Sequence, residues 1–241
     1  MHYVSILSTI VAFAFTAAVA DRYRRRGGFH LLFWAIGLFL YGLGTLSEVI
    51  LIFTFNISTL KLWYLSGAML TAAWLGQGTI YLLVRKPGLA RTLAVILIAL
   101  TAAAVALIAL APVNQSTAVA YNLNHPVSGQ YKDILVRDVL ITILTILLNT
   151  YGAVALIGGA IYSAFLFWRK RVLADRMYGN ILIAAGALMP TLGGTFIRAG
   201  LADWLYLSEL LGIILMYAGF IKAAAYRPVE DTAGTASVSA S

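Results

Sequence analysis

The chain has no cysteine, only five prolines in 241 residues, and nine acidic residues against seventeen basic ones. Without cysteine there is no disulfide, no thiol nucleophile and no thiolate metal site. The three histidines, His2, His30 and His125, are scattered over a chain end, a helix start and a loop. None has a second ligand at usable spacing, so neither a zinc nor a haem site is expected. There is no Ser/His constellation, no HExxH-like helix and no glycine-rich phosphate loop, and the chain is read as non-enzymatic, with no cofactor. A retinal-type Schiff base needs a lysine near the middle of the last helix, whereas Lys222 falls in its final turn and should snorkel. Charged residues make up 11% of the sequence and apolar residues 61%, which leaves no room for a separate soluble domain.

What the chain has is apolar length. Seven apolar stretches fall at 2–20, 31–55, 62–84, 91–113, 136–168, 178–198 and 203–225. Each is near or above the ~20 residues that ~30 Å of hydrocarbon requires. The basic residues sort by side. Alternate connections hold Arg22, Arg24, Arg25 and Arg26, then Arg85, Lys86 and Arg91, then Arg169, Lys170, Arg171 and Arg176, and finally Lys222 and Arg227. These are thirteen of the seventeen Lys and Arg, leaving Lys61, Lys132, Arg137 and Arg198 for the other side. An odd helix number with this bias predicts the amino terminus outside and the carboxyl terminus inside. The net charge of +8 then belongs to orientation and anionic headgroups, not to nucleic acid. The expected fold is all-α and integral to the membrane: a seven-transmembrane helix bundle over 1–226, multi-pass in a plasma or inner membrane. A disordered cytoplasmic tail of Ser, Thr, Ala and acidic residues follows at 227–241. The first apolar run is followed, not preceded, by its basic cluster, so it reads as a retained helix rather than a signal peptide. Residues 114–135 form a polar outer loop between the fourth and fifth helices, long enough to fold over an outer opening.

A weak internal repeat is also visible. Gly44-Thr45-Leu46-Ser47-Glu48 aligns with Gly194-Thr195-Phe196-Ile197-Arg198, and Trp63-Tyr64-Leu65-Ser66-Gly67 with Leu205-Tyr206-Leu207-Ser208-Glu209. It suggests two parallel three-helix units joined by the fourth helix, the 3+1+3 plan of some small transporters. Chance similarity among Gly- and Leu-rich helices is the competing explanation.

Polar and small residues recur at helical spacing. Helix two carries Trp34, Gly37, Tyr41, Gly44, Thr45 and Glu48; helix three Trp63, Gly67, Trp74, Gln77, Gly78 and Tyr81. Helix five carries Asp138, Thr142, Thr145, Asn149 and Gly152, and helix six Asn180, Thr191, Gly194, Thr195 and Arg198. Polar side chains face lipid only at high cost, so these faces should converge on the bundle interior. For Gly and Thr the plain expectation is helix–helix packing. The acids carry more weight. Glu48 and Glu209 lie about six residues from the outer ends of their helices, roughly 9 Å deep at 1.5 Å per residue. Arg198 is the expected partner of Glu48, which leaves one carboxyl without a full counter-ion. The plain alternative is a Glu48–Arg198 bridge, with Glu209 bonded to Tyr64 or Tyr206. Trp63, Tyr64, Trp204 and Tyr206 open their helices, where an aromatic belt suffices as an explanation.

The span from Trp34 to Tyr81 resembles the amino-terminal seven-helix sensor region of certain bacterial histidine kinases. The residues that carry the resemblance are Trp34, Tyr41 and Glu48, then Lys61-Leu62-Trp63-Tyr64, Gly67 and Trp74-Leu75, about a fifth of the chain. The kinase that follows the sensor region in that family has no counterpart in this sequence. The resemblance therefore implies a sensor module that works through a separate cytoplasmic output protein or as a homo-oligomer. The leading expectation is a receptor-like module in the lipid bilayer that binds a small or amphipathic ligand in an outward-facing pocket. A small-solute uniporter or proton-coupled carrier is the first alternative. An accessory subunit of a membrane complex is the second. The residues expected to line the site or its polar core are Glu48, Arg198, Glu209, Asp138, Asn149, Thr45, Thr195, Tyr64, Tyr206, Trp74 and Gln77.

Overall fold

The computed structural model describes residues 2–84, 86–170, 174–198 and 203–224, with His2, Lys170, Ala174, Asp203 and residues 191–198 described in their backbone only. The expected tail at 227–241 lies outside the described residues. Among those residues the chain is helical apart from short connections and one isolated bridge, Val113 to Leu135.

Helix α1 (His2–Arg26) turns into α2 (Phe29–Phe53) through Gly27-Gly28, whose φ angles of 66° and 101° are costly for any residue with a Cβ. Asn56 caps the next helix by accepting from the amides of Ser58 and Thr59 at 2.7 and 3.2 Å. That helix, α3, opens as Ile57–Trp63, passes through a π-helical stretch at Tyr64–Leu70 and closes as Thr71–Leu83. At its close the Ser66 carbonyl accepts from the Thr71 amide, five residues on, and also from the Thr71 hydroxyl at 2.8 Å. Helix α4 (Leu89–Leu110) leads into a connection with two short helices, α5 (Gln115–Val119) and α6 (Val127–Ile134). Helix α7 begins as Val139–Ala153, has its own π-helical stretch at Val154–Gly158, and ends as Gly159–Lys170. Helices α8 (Ala174–Arg198) and α9 (Asp203–Ala224) complete the chain as described.

Five helices among the described residues are long and apolar enough to cross a bilayer: Tyr3–Arg26, Phe29–Phe53, Leu89–Leu110, Val139–Arg169 and Trp204–Ala224. By length and composition the chain is thus a multi-pass membrane protein. Helix α3 is not among the five, and its composition explains why: Ser66, Thr71, Gln77 and Thr79 are all buried in the bundle. Helix α8, with residues 191–198 described only in backbone, is not among them either.

Long helices that follow one another in sequence are neighbours in space, and α9 returns to pack on α1. Helix α3 also touches α7 directly, so α4 sits in the groove outside that pair, with most of its residues facing away from the protein. Small residues set the closest crossings. A Cβ at Gly44 would lie 2.8 Å from the Gly67 Cα, and one at Gly76 would lie 2.9 Å from the Gly152 Cα. Helices α8 and α9 meet in the same way at Gly186 and Gly212. In hydrocarbon, where apolar side chains gain little by leaving lipid, such close backbone approach is what holds helices together.

Candidate functional site

One end of the bundle carries the 54–56 connection and the long connection between α4 and α7. The base of the latter is tied shut, with the Asn114 amide donating to the Ile134 carbonyl at 2.9 Å and the Val136 amide to the Pro112 carbonyl at 3.0 Å. Val127, Ser128 and Ile134 of α6 are buried, so this connection lies down over the bundle as a cap.

Beneath the cap is Glu48. The α2–α3 hairpin folds Trp63 back across fifteen residues of sequence, and the indole Nε1 donates to Glu48 Oε1 at 2.9 Å. Glu48 is 2% exposed, and its Oε2 is buried with no hydrogen-bond partner among the described residues. Glu209 comes in from α9, half-buried and near enough to Glu48 for the two carboxyl groups to act on each other electrostatically. Tyr41 of α2 donates its hydroxyl to the Glu209 carbonyl at 2.9 Å, tying α2 to α9 at this level. Tyr206, one turn earlier on α9, is buried, within the field of both acids and in reach of the Val127 main chain of the cap.

The cap adds aromatic and cationic groups. Tyr121 stacks on Phe55 with ring centroids 4.5 Å apart. Partial burial, helped by the negative field of Glu48, pushes its hydroxyl up to about 12. Tyr131 packs against Trp63 at 5.1 Å and Tyr64 at 5.6 Å. Burial raises its hydroxyl above the usual tyrosine range, with the Arg137 charge opposing. The Arg137 guanidinium stands over the Tyr131 ring at 5.1 Å and the Tyr64 ring at 5.9 Å, and its Nε is buried with no hydrogen-bond partner among the described residues. Along the contact sequence Glu48, Trp63, Tyr131, Arg137, two rings thus come between the carboxyl group and the guanidinium. Beside them a recess of about 650 Å³ opens between the 53–58 turn and residues 115–123, with Tyr121 on its wall.

Apart from Asp138, the residues predicted to form one polar core divide into three groups. Glu48, Glu209, Tyr206 and Tyr64 meet beneath the cap. Others are spent on bonds between helices or, for Thr45, within one. Asn149 donates to the Ala68 carbonyl at 2.8 Å, satisfying the π-helical stretch of α3. Gln77, fully buried, donates to the Ala90 carbonyl at 2.8 Å and accepts from the Tyr151 hydroxyl. Trp74 donates to the Thr101 hydroxyl at 3.2 Å, and Thr45 bonds the Gly42 carbonyl of its own helix. The third group lies outside the described side chains: Thr195 and Arg198, and with Arg198 the expected Glu48–Arg198 pair.

Three expectations are corrected. Asp138 is exposed and is no part of a core; it precedes the first turn of α7 and caps it, accepting from the Ile141 amide at 2.7 Å. The Tyr64 hydroxyl meets Thr145 at 3.0 Å, not Glu209. Trp63 and Tyr64, read as belt residues, are buried under the cap because α6 covers the start of α3. Tyr121, Tyr131 and Arg137 were not among the residues expected to line the site, Arg137 having been read only for its side of the membrane; two tyrosines within an otherwise polar loop were the available signal. Comparison with protein-family models, with curated proteins and with solved structures finds no match for this chain.

Proposed function

We propose that the protein is a non-enzymatic seven-helix membrane sensor, which binds a small or amphipathic ligand from outside and reports to a separate partner. In this reading α3 and α8 span the bilayer with the other five, the amino terminus and the cap lie outside, and the four basic clusters lie inside. The observation that carries it is the recess of about 650 Å³ at the capped end, with Tyr121 on its wall, and the buried, half-satisfied carboxyl group of Glu48 in the same end of the bundle. Recesses of this size with a few converging polar groups are the usual form of small-ligand sites.

The carrier reading, with its parallel 3+1+3 repeat, needs a polar path onward to the other end. Gln77 and Asn149 would line it, and both have their amide groups committed to Ala90, Tyr151, Ala68 and Thr145. That favours a site open to one side only. The accessory-subunit reading requires no recess.

Two measurements test the proposal. Impermeant labelling of an amino-terminal tag and of a tag after Ser241 should mark the first from outside and the second from inside; labelling of both from one side removes the seven-helix topology. Native mass spectrometry of the purified protein should find a small molecule that is lost when Tyr121 is changed to Ala. A bound molecule indifferent to that change would place the site elsewhere.

A further inference from the structure

We infer that the end of the bundle opposite the cap holds an anionic phospholipid, its phosphate on Arg22 and Arg26 of α1 and its acyl chains in the crevice that α1 and α8 form over α9. This goes beyond the sensor reading and needs only the bilayer. It stands whichever way the bundle faces.

Basic residues at helix ends draw anionic headgroups diffusely wherever they lie. What sets this place apart is a fixed cation beside an apolar crevice. The Arg22 guanidinium stands over the Phe220 ring of α9, 5.6 Å from its centroid. Stacking fixes the plane of the guanidinium and leaves the N–H donors at its edge open. Among the described residues no acceptor takes them. Arg26 follows one turn later on the same face of α1, and the positive field of Arg176 of α8 reaches Arg22 as well. The two acids described at this end are committed elsewhere: Asp21 bridges Arg25 at 2.9 Å, and Asp175 lies 3.9 Å from Lys222. Positive groups gathered with no acid between them suit an anion, and a phosphate offers paired oxygens to a guanidinium fork.

The crevice suits the other half of the molecule. Among the described residues α1 and α8 both pack on α9, and neither packs on the other to a comparable degree. One turn from Arg22, Val19 lines an apolar gap of about 30 Å³, with Phe15, Ile183, Met216 and Phe220 also on its walls. A gap with such walls takes hydrocarbon and rejects a hydrated ligand. Phe220 joins the two halves, since its ring carries Arg22 and also lines the gap. A soluble phosphate ester would gain the guanidinium contact alone. A lipid gains both.

The test uses the full chain in neutral maltoside micelles and three probes: dioleoylphosphatidylglycerol, dioleoylphosphatidylcholine and glycerophosphate. Titration followed by native mass spectrometry should show phosphatidylglycerol binding about tenfold or more tighter than phosphatidylcholine, the scale of one charge-assisted contact. Glycerophosphate, which lacks the chains, should not displace it. Arg22→Gln should cost phosphatidylglycerol about tenfold and leave phosphatidylcholine unchanged. Arg26→Gln should weaken phosphatidylglycerol in the same selective way, which keeps the inference testable if Arg22→Gln fails to fold. Arg24→Gln removes the same charge from the far side of α1 and should change nothing. Equal affinities for the two lipids would overturn the inference. Equal losses from Arg24→Gln and Arg22→Gln would do so too, because they mark diffuse attraction and no site. Displacement by glycerophosphate would overturn the lipid in favour of a soluble phosphate ester.

Discussion

The α3–α7 crossing is the place where a single methyl group should do most damage. At Gly152 a Cβ would clash with the Ala72 carbonyl group and lie 2.5 Å from the Ala73 amide nitrogen, all of it backbone that no rotamer change can clear. Restoring an ordinary contact of 3.4 Å means separating the two helices by about 1 Å. The hydrogen bonds from Asn149 to Ala68 and from Tyr151 to Gln77 straddle this point and would stretch with it. Overpacking of a tight interface costs about 1–3 kcal/mol, and two strained hydrogen bonds add about 1 kcal/mol each. Gly152→Ala should therefore destabilise the protein by about 3–5 kcal/mol, a fall in melting temperature of roughly 6–20 °C for a chain of this size. Gly158, on the same helix, is the control, because a Cβ there meets nothing within 4 Å. Gly158→Ala should be neutral or stabilising by a few tenths of a kcal/mol. Thermal unfolding in detergent, followed by circular dichroism, reads both. Equal melting temperatures for Gly152→Ala and wild type, or equal losses in the two variants, would refute the crossing as drawn.

Gln77→Leu should leave the Ala90 carbonyl and the Tyr151 hydroxyl without partners and cost about 2–4 kcal/mol in the same assay, whereas Tyr151→Phe should cost about 1 kcal/mol; similar losses would mean Ala90 finds another donor. Asp138→Ala should lower stability by about 1 kcal/mol without altering ligand binding, as befits a cap, and a binding defect would return Asp138 to the site. The Tyr121 phenol should stay un-ionised in the folded protein at pH 11, so the 295 nm titration difference between wild type and Tyr121→Phe should lie near pH 12. Because its folded value is raised, Tyr121 contributes stability below pH ~10 that is lost as pH rises through about 12, and the Phe variant should lack that loss. A difference centred near pH 10 would show that Tyr121 is solvated.

The helical class was legible because hydrocarbon demands long apolar runs, and the small-residue stripes were legible because close crossings admit little else. Helical spacing alone could not place Asp138: a residue one turn ahead of Thr142 fits the stripe equally well inside the helix or as its cap. Spacing also could not separate an amide that lines a path from one that mends a neighbour's backbone, the fate of Asn149 and Gln77. The Glu48–Trp63 bond depends on the hairpin angle between α2 and α3. Nor did the sequence announce the π-helical stretches, the first of which has its Ala68 carbonyl bonded by Asn149 of α7.

The tied base of the long connection has a consequence for engineering. With Val113 held against Leu135, the loop's closure entropy is met locally, and its tip bears none of the job of keeping α4 and α7 in register. Residues 122–125 at that tip are exposed. A folded reporter domain spliced between Asn124 and His125 would hang from a closed clasp, free to tumble while the bundle beneath keeps its shape.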